Sequence, residues 1–394
     1  MMLPVVRALR AIRPNVHVDL IALTTAKSAA AAAGERSLAF CDLMHLADEP
    51  FAKEWGERLT VGNTHPAVDP AETAAYMGVN YWDLTRQHGA DGARVLYARE
   101  GRYGFYPIHF FRRVVACLSP DVVVATNSPR SEHAALDAAM DAGIPTLSMI
   151  DLFAMAGDPY LRRARHADRV TVMLPQVRDN LVTAGMEASR IVVTGNPAFD
   201  SLFDPAQRQA AMELRRSLGW DGLKIFLWAG IIERLPSEGG AVAPGTAFGE
   251  AVEAVLRRWC ARRPDVAAIV RYHPNEAHHF AAQPPQERVH LSRPLRDPLH
   301  PQILSARTVL VTGSTVGVEA ASAGVPVLSL ESSGSNSVMS YEKLGISRGV
   351  PSLEALEACL DEAADSTPSV KSAETQPGPA SPRIAQEIIA LAGR

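Results

Sequence analysis

The segment Thr312–Val327, TGSTVGVEAASAGVPV, carries residue types that together could bind a nucleotide. Gly313, Ser314 and Thr315 form a turn of small residues between an apolar, strand-like run and a helical stretch. Such a turn presents unpaired backbone N–H groups and the positive end of a helix dipole, which suit a phosphate. Glu319 lies about one helical turn further on, where its carboxylate could accept hydrogen bonds from a ribose. We therefore predict a nucleotide site here, although an ordinary strand-turn-helix unit with a Ser or Thr N-cap has the same pattern.

Two further motifs come where predicted strands end, the edge at which open α/β sheets bind ligands. One is VTGNPAFD, Val193–Asp200, which contains Asn196, and the other is IVRYHPNE, Ile269–Glu276. In the second motif Arg271 and His273 follow an apolar strand. A guanidinium and an imidazole could share one diphosphate with the turn, the arginine binding through its forked geometry. A hydrogen-bonded structural histidine also explains His273.

Short apolar runs alternate with helical stretches along the whole chain, which is the pattern of parallel α/β sheets. The predicted strands are Val16–Leu23, Asp121–Thr126, Pro145–Ile150, Arg169–Leu174, Arg190–Thr194, Lys224–Ala229, Val266–Tyr272, Val289–Ser292, Thr308–Thr312 and Val325–Leu330. The predicted helices between them are Ser131–Ala142, Pro175–Ala184, Phe248–Arg263, Pro301–Ala306, Val316–Ala323 and Leu353–Ala364. This alternation predicts an α/β fold of two doubly wound, Rossmann-like domains.

The same alternation predicts that the two domains meet near residues 200–218. We expect a first domain over residues 1–200 with an insertion at 51–107, and a second over 201–364. A flexible linker rich in Ser, Pro, Thr and Gly, 365–382, precedes a terminal helix, 383–394. The insertion is long and irregular for a connection, and such segments are usually functional or hold small elements of their own. Its aromatic residues could contact sugars or partners, or pack as the core of an inserted subdomain. They are Trp55, Tyr76, Tyr81, Trp82, Tyr97, Tyr103 and Tyr106.

The chain opens on a helix rather than on a strand. We predict this helix because four apolar residues recur at helical spacing: Met2, Val5, Val6 and Leu9. A doubly wound domain normally begins with a strand and a glycine-containing turn. We therefore expect the natural protein, or its nearest relatives, to begin upstream of Met1.

Length and composition describe an ordinary soluble protein with two domains. The chain has 394 residues, 47% hydrophobic and 21% charged, and a net charge of −4 without a dense basic block. Nucleic acid is therefore not an expected partner. No apolar run approaches the length of a membrane span, and arginines interrupt the N-terminus too often for a secretory signal, so we expect a cytoplasmic protein. The cysteines are scattered without a pair at metal-binding spacing, and we expect them to be core thiols in a reducing compartment. They are Cys41, Cys117, Cys260 and Cys359.

The three motifs, in this order and spacing, resemble those of the non-hydrolysing UDP-N-acetylglucosamine 2-epimerase family and of the wider GT-B glycosyltransferases. The resemblance covers roughly residues 168–330. It implies a GT-B-like fold in which two Rossmann-like domains face a central cleft and the second domain binds the nucleotide diphosphate. By this resemblance Ser314 and Thr315 would hold phosphate, Glu319 the ribose, and Asn196 and His273 would line the cleft. Kdo transferases carry a junction motif similar to this one, so that motif does not choose between activities.

The chain also departs from the epimerase pattern. The family's H-R-R-E-N segment is replaced by Trp228–Arg234, where only Gly230 is kept as a predicted substrate-binding residue. Its H-G-D-T turn becomes Ala125–Pro129, and its V-E-A-G segment becomes Met149–Leu152, which leaves Asp151 as the nearby carboxylate. Epimerisation requires groups that move a proton at C2, and most positions that would supply them are changed.

The leading hypothesis is therefore a glycosyltransferase that uses a UDP-sugar to build a surface polysaccharide or glycolipid. Asp151 or the pair Glu132 and His133 could act as the base, although a turn cap, a first-turn charge and a solvated imidazole explain them too. The expected partners are a nucleotide-sugar donor and a glycan or lipid-linked acceptor, which is compatible with peripheral membrane association. No cofactor or metal is expected, because no Asp-x-Asp pair follows a predicted strand. The alternatives are a UDP-sugar 2-epimerase or hydrolase, and a non-catalytic nucleotide-sugar-binding relative.

Overall fold

The computed structural model describes residues 1–63, 65, 68–155, 157–231, 247–274, 284–333, 340–367 and 378–393, together with the backbone of two strands at 233–236 and 242–245. It divides into two compact units. Unit 1 comprises Met1–Met173, Val177–Pro197 and Ser381–Arg394, and unit 2 comprises Leu174–Gln176 and Ala198–Ala380. Within the described residues, no helix combines the length and hydrophobicity that crossing a bilayer requires.

The elements alternate as an α/β chain. The helices are α1 Met2–Ile12, α2 Thr25–Ala32, α3 Phe40–Leu43, α4 Glu49–Thr60, α5 Pro70–Glu100, α6 Ile108–Leu118, α7 Ser131–Asp141, α8 Pro175–Thr183, α9 Pro205–Ser217, α10 Ala247–Arg262, α11 Leu299–Ser305, α12 Val316–Ser322, α13 Leu356–Asp365 and α14 Ser381–Ala392. The strands are β1 Val123–Ala125, β2 Thr146–Met149, β3 Arg169–Val172, β4 Ile191–Val193, β5 Lys224–Ala229, β6 Glu233–Pro236, β7 Val242–Gly245, β8 Val266–Arg271, β9 Val289–Leu291, β10 Thr308–Val311, β11 Val327–Leu330 and β12 Arg348–Val350. A 3-10 segment, Pro197–Phe203, follows β4.

Unit 1 contains a parallel sheet in the order β1-β2-β3-β4. The four strands predicted over these residues are confirmed. The strand predicted at Val16–Leu23 is wrong, because this segment forms only one isolated bridge, between Ile21 and Leu38. Strands of a parallel sheet are normally buried on both faces. In this segment the side chains of His17 and Asp19 are exposed or partly exposed, and they pair with each other. The segment therefore has too little apolar surface to be buried on two faces.

The predicted insertion, 51–107, is helical rather than irregular. It contains most of α4 and all of α5, which pack with their backbones in close contact. A Cβ atom added at Gly78 would lie 1.8 Å from the carbonyl oxygen of Ala52, and one at Gly56 would lie 2.3 Å from that of Ala74. The aromatic side chains fill this interface; the centroids of the Trp55 and Tyr81 rings, for example, are 4.4 Å apart. Six of the seven aromatic residues therefore pack in a core, which they share with residues outside the insertion such as Phe40 and Phe110, whereas Tyr103 is 87% exposed.

The two ends of the chain meet in unit 1. The predicted opening helix is confirmed as α1, whose buried face presents Val5, Val6 and Leu9. It packs against α14, which buries Ile384 and Ile388 among other apolar residues. The terminal helix therefore belongs to the unit that contains the first helix.

Unit 2 contains a six-stranded parallel sheet in the order β12-β11-β10-β5-β8-β9. The chain runs outward from β5 through β8 to β9, then crosses to β10 and continues outward through β11 to β12 on the other side. This is the strand order of a Rossmann sheet, and its order reverses between β5 and β10. The sequence predicted five of these strands and missed β12. The expected fold, two Rossmann-like α/β domains, is confirmed.

Candidate functional site

Two of the predicted motifs and Gly230 lie at one edge of the unit 2 sheet. Gly230 follows β5, Arg271 ends β8, and the turn Thr312–Thr315 follows β10. These strands are direct neighbours, since β5 pairs with both β8 and β10. The β5–β10 boundary is where the strand order reverses, and ligands of open α/β sheets bind in the crevice outside such a reversal. The topology therefore brings the turn, Gly230 and the residues after β8 to the most favourable place for a ligand.

The carbonyl groups of the turn are held by the protein. The hydroxyl of Ser333 donates to the Thr312 carbonyl at 2.8 Å, and that of Tyr341 donates to the Gly313 and Ser314 carbonyls at 3.2 and 2.9 Å. Across the described residues, the N–H groups of Gly313, Ser314 and Thr315 have no acceptor. The turn thus satisfies its acceptors internally and offers three successive donors to a ligand. Helix α12 has only seven residues, so these donors carry more weight than its dipole.

Tyr341 fixes this turn from the buried side. Its side chain is wholly buried, and its ring lies against Gly317, where an added Cβ atom would approach a ring carbon at 2.8 Å. Burial, followed by the nearby carboxylate of Glu319, raises the pKa of Tyr341, so the phenol remains a hydrogen-bond donor at neutral pH. Gly313 adopts a φ of 131°, a left-handed conformation that favours glycine. Sequence reasoning missed Tyr341 because it lies 27 residues from Ser314 along the chain.

Glu319 lies beside the turn with its side chain 12% exposed. Its Oε2 atom is 3.2 Å from Nε2 of His300, and the other ring nitrogen, Nδ1, is 3.1 Å from the hydroxyl oxygen of Ser201. His300 and Ser201 did not follow from the sequence, because neither lies in a recognisable motif with Glu319. The carboxylate is therefore oriented by a histidine, and its second oxygen, Oε1, has no hydrogen-bond partner within the described part of the chain.

Arg271 was predicted to contact diphosphate, but the structure directs it to a neighbouring loop. Its Nη1 donates to the Ser292 hydroxyl at 2.7 Å and to the Asp297 carbonyl at 2.9 Å, and its Nη2 donates to the Pro294 carbonyl at 3.1 Å. Burial lowers the pKa of Arg271. The geometry therefore gives Arg271 a structural role, that of holding the loop between β9 and α11.

Gly230 and His273 lie at the same edge as the turn. An added Cβ atom at Gly230 would lie 3.0 Å from the indole of Trp228, so the glycine makes room for that ring. His273 follows β8 by two residues and is half-buried. Both remain predicted ligand contacts by position. Among the described residues, no group of three or more His, Cys, Asp and Glu side chains could hold a metal ion. The expectation that no metal is needed stays a prediction.

The predicted catalytic residues and Asn196 lie in unit 1. Glu132, in the first turn of α7, accepts a hydrogen bond from the backbone N–H of Thr126 just after β1. Asp151 follows β2 and is exposed, and its backbone N–H donates to the side chain of Asn127 at 3.2 Å. Both carboxylates thus lie at the carboxyl edge of adjacent strands, but Glu132 is engaged with backbone. Asn196 lies after β4, next to the glycine at 195, whose φ is 85°.

His133 belongs to a partly buried polar cluster rather than to open solvent, and its side chain is 23% exposed. Its Nε2 is 3.0 Å from Oδ2 of Asp137, which also accepts a hydrogen bond from the Tyr106 hydroxyl at 2.5 Å, while Oδ1 faces Arg163 at 3.3 Å. Burial acts to raise the pKa of Asp137, but hydrogen bonds from His133 and Tyr106 outweigh it and the pKa is lowered. Of the predicted catalytic residues, His133 is the one that the structure pairs with an orienting carboxylate.

Comparison with known proteins identifies the family of the chain. The family model for UDP-N-acetylglucosamine 2-epimerase matches residues 164–386, more than half of the 394 residues. The chain belongs to the UDP-N-acetylglucosamine 2-epimerase family. The match covers the turn Thr312–Thr315, Glu319 and the strands that carry the edge described above. No curated protein sequence matches the chain significantly.

Several solved structures of proteins named as epimerases are similar to this chain. A Listeria monocytogenes protein assigned as a UDP-N-acetylglucosamine 2-epimerase has 20% identity and a TM-score of 0.52, with 72% of this chain and 76% of that chain covered. The Neisseria meningitidis epimerase bound to UDP-GlcNAc has 14% identity and a TM-score of 0.47, with 72% and 81% covered. The Methanocaldococcus jannaschii epimerase in complex with UDP-GlcNAc and UDP has 15% identity and a TM-score of 0.47, with 71% and 78% covered. The likeness to the Listeria structure, at 20% identity, shows the fold alone.

Membership of the epimerase family corrects the leading hypothesis from the sequence. A glycosyltransferase building a polysaccharide or glycolipid was expected because several carboxylates and the histidine of the epimerase motifs are replaced. The family model nevertheless matches the 2-epimerases across residues 164–386, so the glycosyltransferase assignment is wrong and the epimerase alternative is better supported. The family is one of enzymes.

Proposed function

We propose that the protein binds a UDP-sugar through unit 2 and acts on it at C1 and C2 of the sugar, as a UDP-N-acetylglucosamine 2-epimerase or as a hydrolase of that substrate. The observation that carries the proposal is the turn Thr312–Thr315. Its carbonyls accept hydrogen bonds from within the protein, and three successive N–H groups are left for a ligand. The matched family supplies the substrate class.

The turn suits the diphosphate part of such a substrate. Hydrogen bonds from N–H groups to an ionised oxygen are about twice as strong as those between neutral groups. When the bond between C1 and the diphosphate breaks, negative charge grows on the departing UDP. Donors that Tyr341 already holds in place stabilise this charge without reorganising during the reaction. The turn therefore serves both binding and departure of the nucleotide.

Glu319 suits the ribose. Its side chain is mostly buried, and its Oε1 atom lacks a partner in the described part of the chain, although a buried carboxylate normally accepts several hydrogen bonds. A ribose hydroxyl beside the turn would supply a donor. We expect Gly230 and His273, at the same edge, to contribute to the walls of this subsite.

Inversion at C2 requires removal of the C2 proton with cleavage of the bond between C1 and UDP, then return of a proton to the opposite face of C2 and of UDP to C1. Hydrolysis also breaks the bond between C1 and UDP, but water then adds at C1 and UDP is released. Each route needs a proton-transfer residue. We propose His133 ahead of Asp151 and Glu132 for this role. Asp137 orients the His133 imidazole at 3.0 Å, which is the arrangement of an activated base, whereas Glu132 is engaged with a backbone N–H.

Proton NMR of the protein with UDP-N-acetylglucosamine in D2O tests the proposal. The expected result is the manno isomer carrying deuterium at C2, or free UDP with the released sugar. Glu319→Gln should reduce turnover, whereas Glu362→Gln, which removes an exposed carboxylate paired with Arg348, should not. His133→Asn should lower kcat more than it raises KM. An unchanged substrate spectrum, at concentrations where calorimetry shows binding, would rule out both reactions and favour a non-catalytic relative.

A further inference from the structure

Three side chains from separate segments of unit 2 form a continuous hydrogen-bonded chain next to the turn. Ser201 comes from the 3-10 segment, His300 from α11 and Glu319 from α12. The Ser201 hydroxyl oxygen lies 3.1 Å from His300 Nδ1, and His300 Nε2 lies 3.2 Å from Glu319 Oε2. The imidazole is 21% exposed and the carboxylate side chain 12%, whereas Ser201 is on the surface. The contacts of Glu319 are therefore set by two residues that lie outside the recognised motifs.

The chemistry of the three groups fixes the direction of these bonds. An ionised carboxylate can only accept, so Nε2 of the imidazole must carry the proton that is donated to Glu319. In the neutral imidazole Nδ1 is then an acceptor, and the Ser201 hydroxyl donates to it. The serine thus holds the ring, and the ring holds one carboxylate oxygen. This leaves Oε1 of Glu319 in a defined position with both lone pairs available.

We infer that His300 is a positioning residue that makes the site selective for ribonucleotides, by holding Glu319 where it accepts a hydrogen bond from a ribose hydroxyl. The inference rests on the proposed function, since it concerns the same subsite. A rotatable carboxylate would accept from water as readily as from ribose, so selectivity requires that its orientation be fixed before the ligand arrives. His300 supplies that restraint directly, and Ser201 supplies it through His300.

Two amide variants of His300 separate this role from a purely structural one. In His300→Gln the amide nitrogen can occupy the place of Nε2 and still donate to Glu319. In His300→Asn the shorter amide reaches the place of Nδ1 and keeps only the contact with Ser201. The assay is isothermal titration calorimetry of the whole protein with UDP, 2′-deoxy-UDP and 3′-deoxy-UDP. For each protein variant, the Kd of each deoxy analogue is divided by the Kd of UDP. The larger of these two ratios is then compared between variants.

A hydrogen bond to a charged group is worth about 1.5–3 kcal/mol, which corresponds to a ratio of about 10- to 150-fold in the wild type. We expect His300→Gln to keep most of this ratio and His300→Asn to bring it close to one. Ser201→Ala, at an exposed position, should lower the ratio by about 2- to 10-fold, the value of a typical neutral hydrogen bond. This third variant keeps the test valid if His300→Asn fails to fold.

Two results would overturn the inference while leaving the proposed function intact. The first is a wild-type ratio in a folded His300→Asn variant. The second is an equal loss of affinity for UDP and both deoxy analogues in the two amide variants, which would indicate that His300 only supports the fold. Failure of the wild-type protein to bind UDP at all would instead overturn the proposed function, on which the inference rests.

Discussion

Tyr341→Phe removes one hydroxyl group from the structure and tests how the turn is held. The hydroxyl donates to two carbonyls, those of Gly313 and Ser314, at 3.2 and 2.9 Å. Each hydrogen bond contributes about 0.5–1.5 kcal/mol, so the free energy of unfolding should fall by about 1–3 kcal/mol. A unit of this size loses about 2–4 °C in Tm per kcal/mol, so differential scanning calorimetry should show a decrease of several degrees in the unit 2 transition.

The effect on the ligand follows from the same contacts. Without the hydroxyl, the turn is no longer ordered before binding, and ordering the backbone of one residue costs about 1–2 kcal/mol. Affinity for UDP should therefore fall by about 5- to 30-fold. Affinity for uridine, which carries no phosphate, should change little. Both affinities can be measured by calorimetry at 25 °C, where the variant remains folded.

The control for Tyr341→Phe is Tyr160→Phe in unit 1. Tyr160 is also buried, and its hydroxyl donates to the Ser148 hydroxyl at 3.4 Å. This variant should bind UDP as the wild type does. The reasoning would be refuted if Tyr341→Phe bound UDP within twofold of the wild type, or if UDP and uridine lost affinity equally.

Three further predictions concern single residues. Gly317→Ala forces a methyl group against the Tyr341 ring at 2.8 Å, so the free energy of unfolding in urea should fall by about 1–3 kcal/mol. The control is Gly222→Ala, which should leave this free energy unchanged because nothing lies within 4 Å of the added methyl group. Arg271→Ala should weaken UDP and uridine binding by similar factors in calorimetry, because the arginine holds a loop; a selective loss for UDP would contradict this. The lowered pKa of Asp137 means that its contribution to stability is complete above about pH 4, the ordinary aspartate range, and is lost as the pH falls through the folded pKa. Asp137→Asn should therefore weaken the loss of unfolding free energy at acid pH, measured by urea unfolding over a series of pH values. An unchanged dependence of this free energy on pH would argue against the pairing.

The sequence was most informative about unit 2. Its central strands are continuous apolar runs between turn residues, and β5 was predicted with its observed bounds, Lys224–Ala229. Parallel strands share a carboxyl edge, so placing the strands also placed Gly230, Arg271 and the turn Thr312–Thr315 at one edge. The position of the candidate site could thus be predicted from pattern alone.

The sequence was least informative where long-range packing decides the structure. The strand-like composition of Val16–Leu23 does not bury two faces, so no strand forms there. The helices α4 and α5 depend on small residues that let two backbones approach, which no local pattern reveals. The same holds for side chains: Tyr341 and His300 reach the site from other elements, and Arg271 is engaged by a loop that its motif does not contain.

The central claim is that the N–H groups of the turn bind the diphosphate of a UDP-sugar. The direct measurement is a titration of the whole protein, labelled with ¹⁵N at glycine, serine and threonine, followed through the amide resonances of Gly313, Ser314 and Thr315. These amides donate to no acceptor in the described part of the chain, so a new bond to phosphate should move their proton shifts downfield. We predict saturable downfield shifts with UDP and none with uridine. UDP binding that leaves these three amides unmoved would contradict the account.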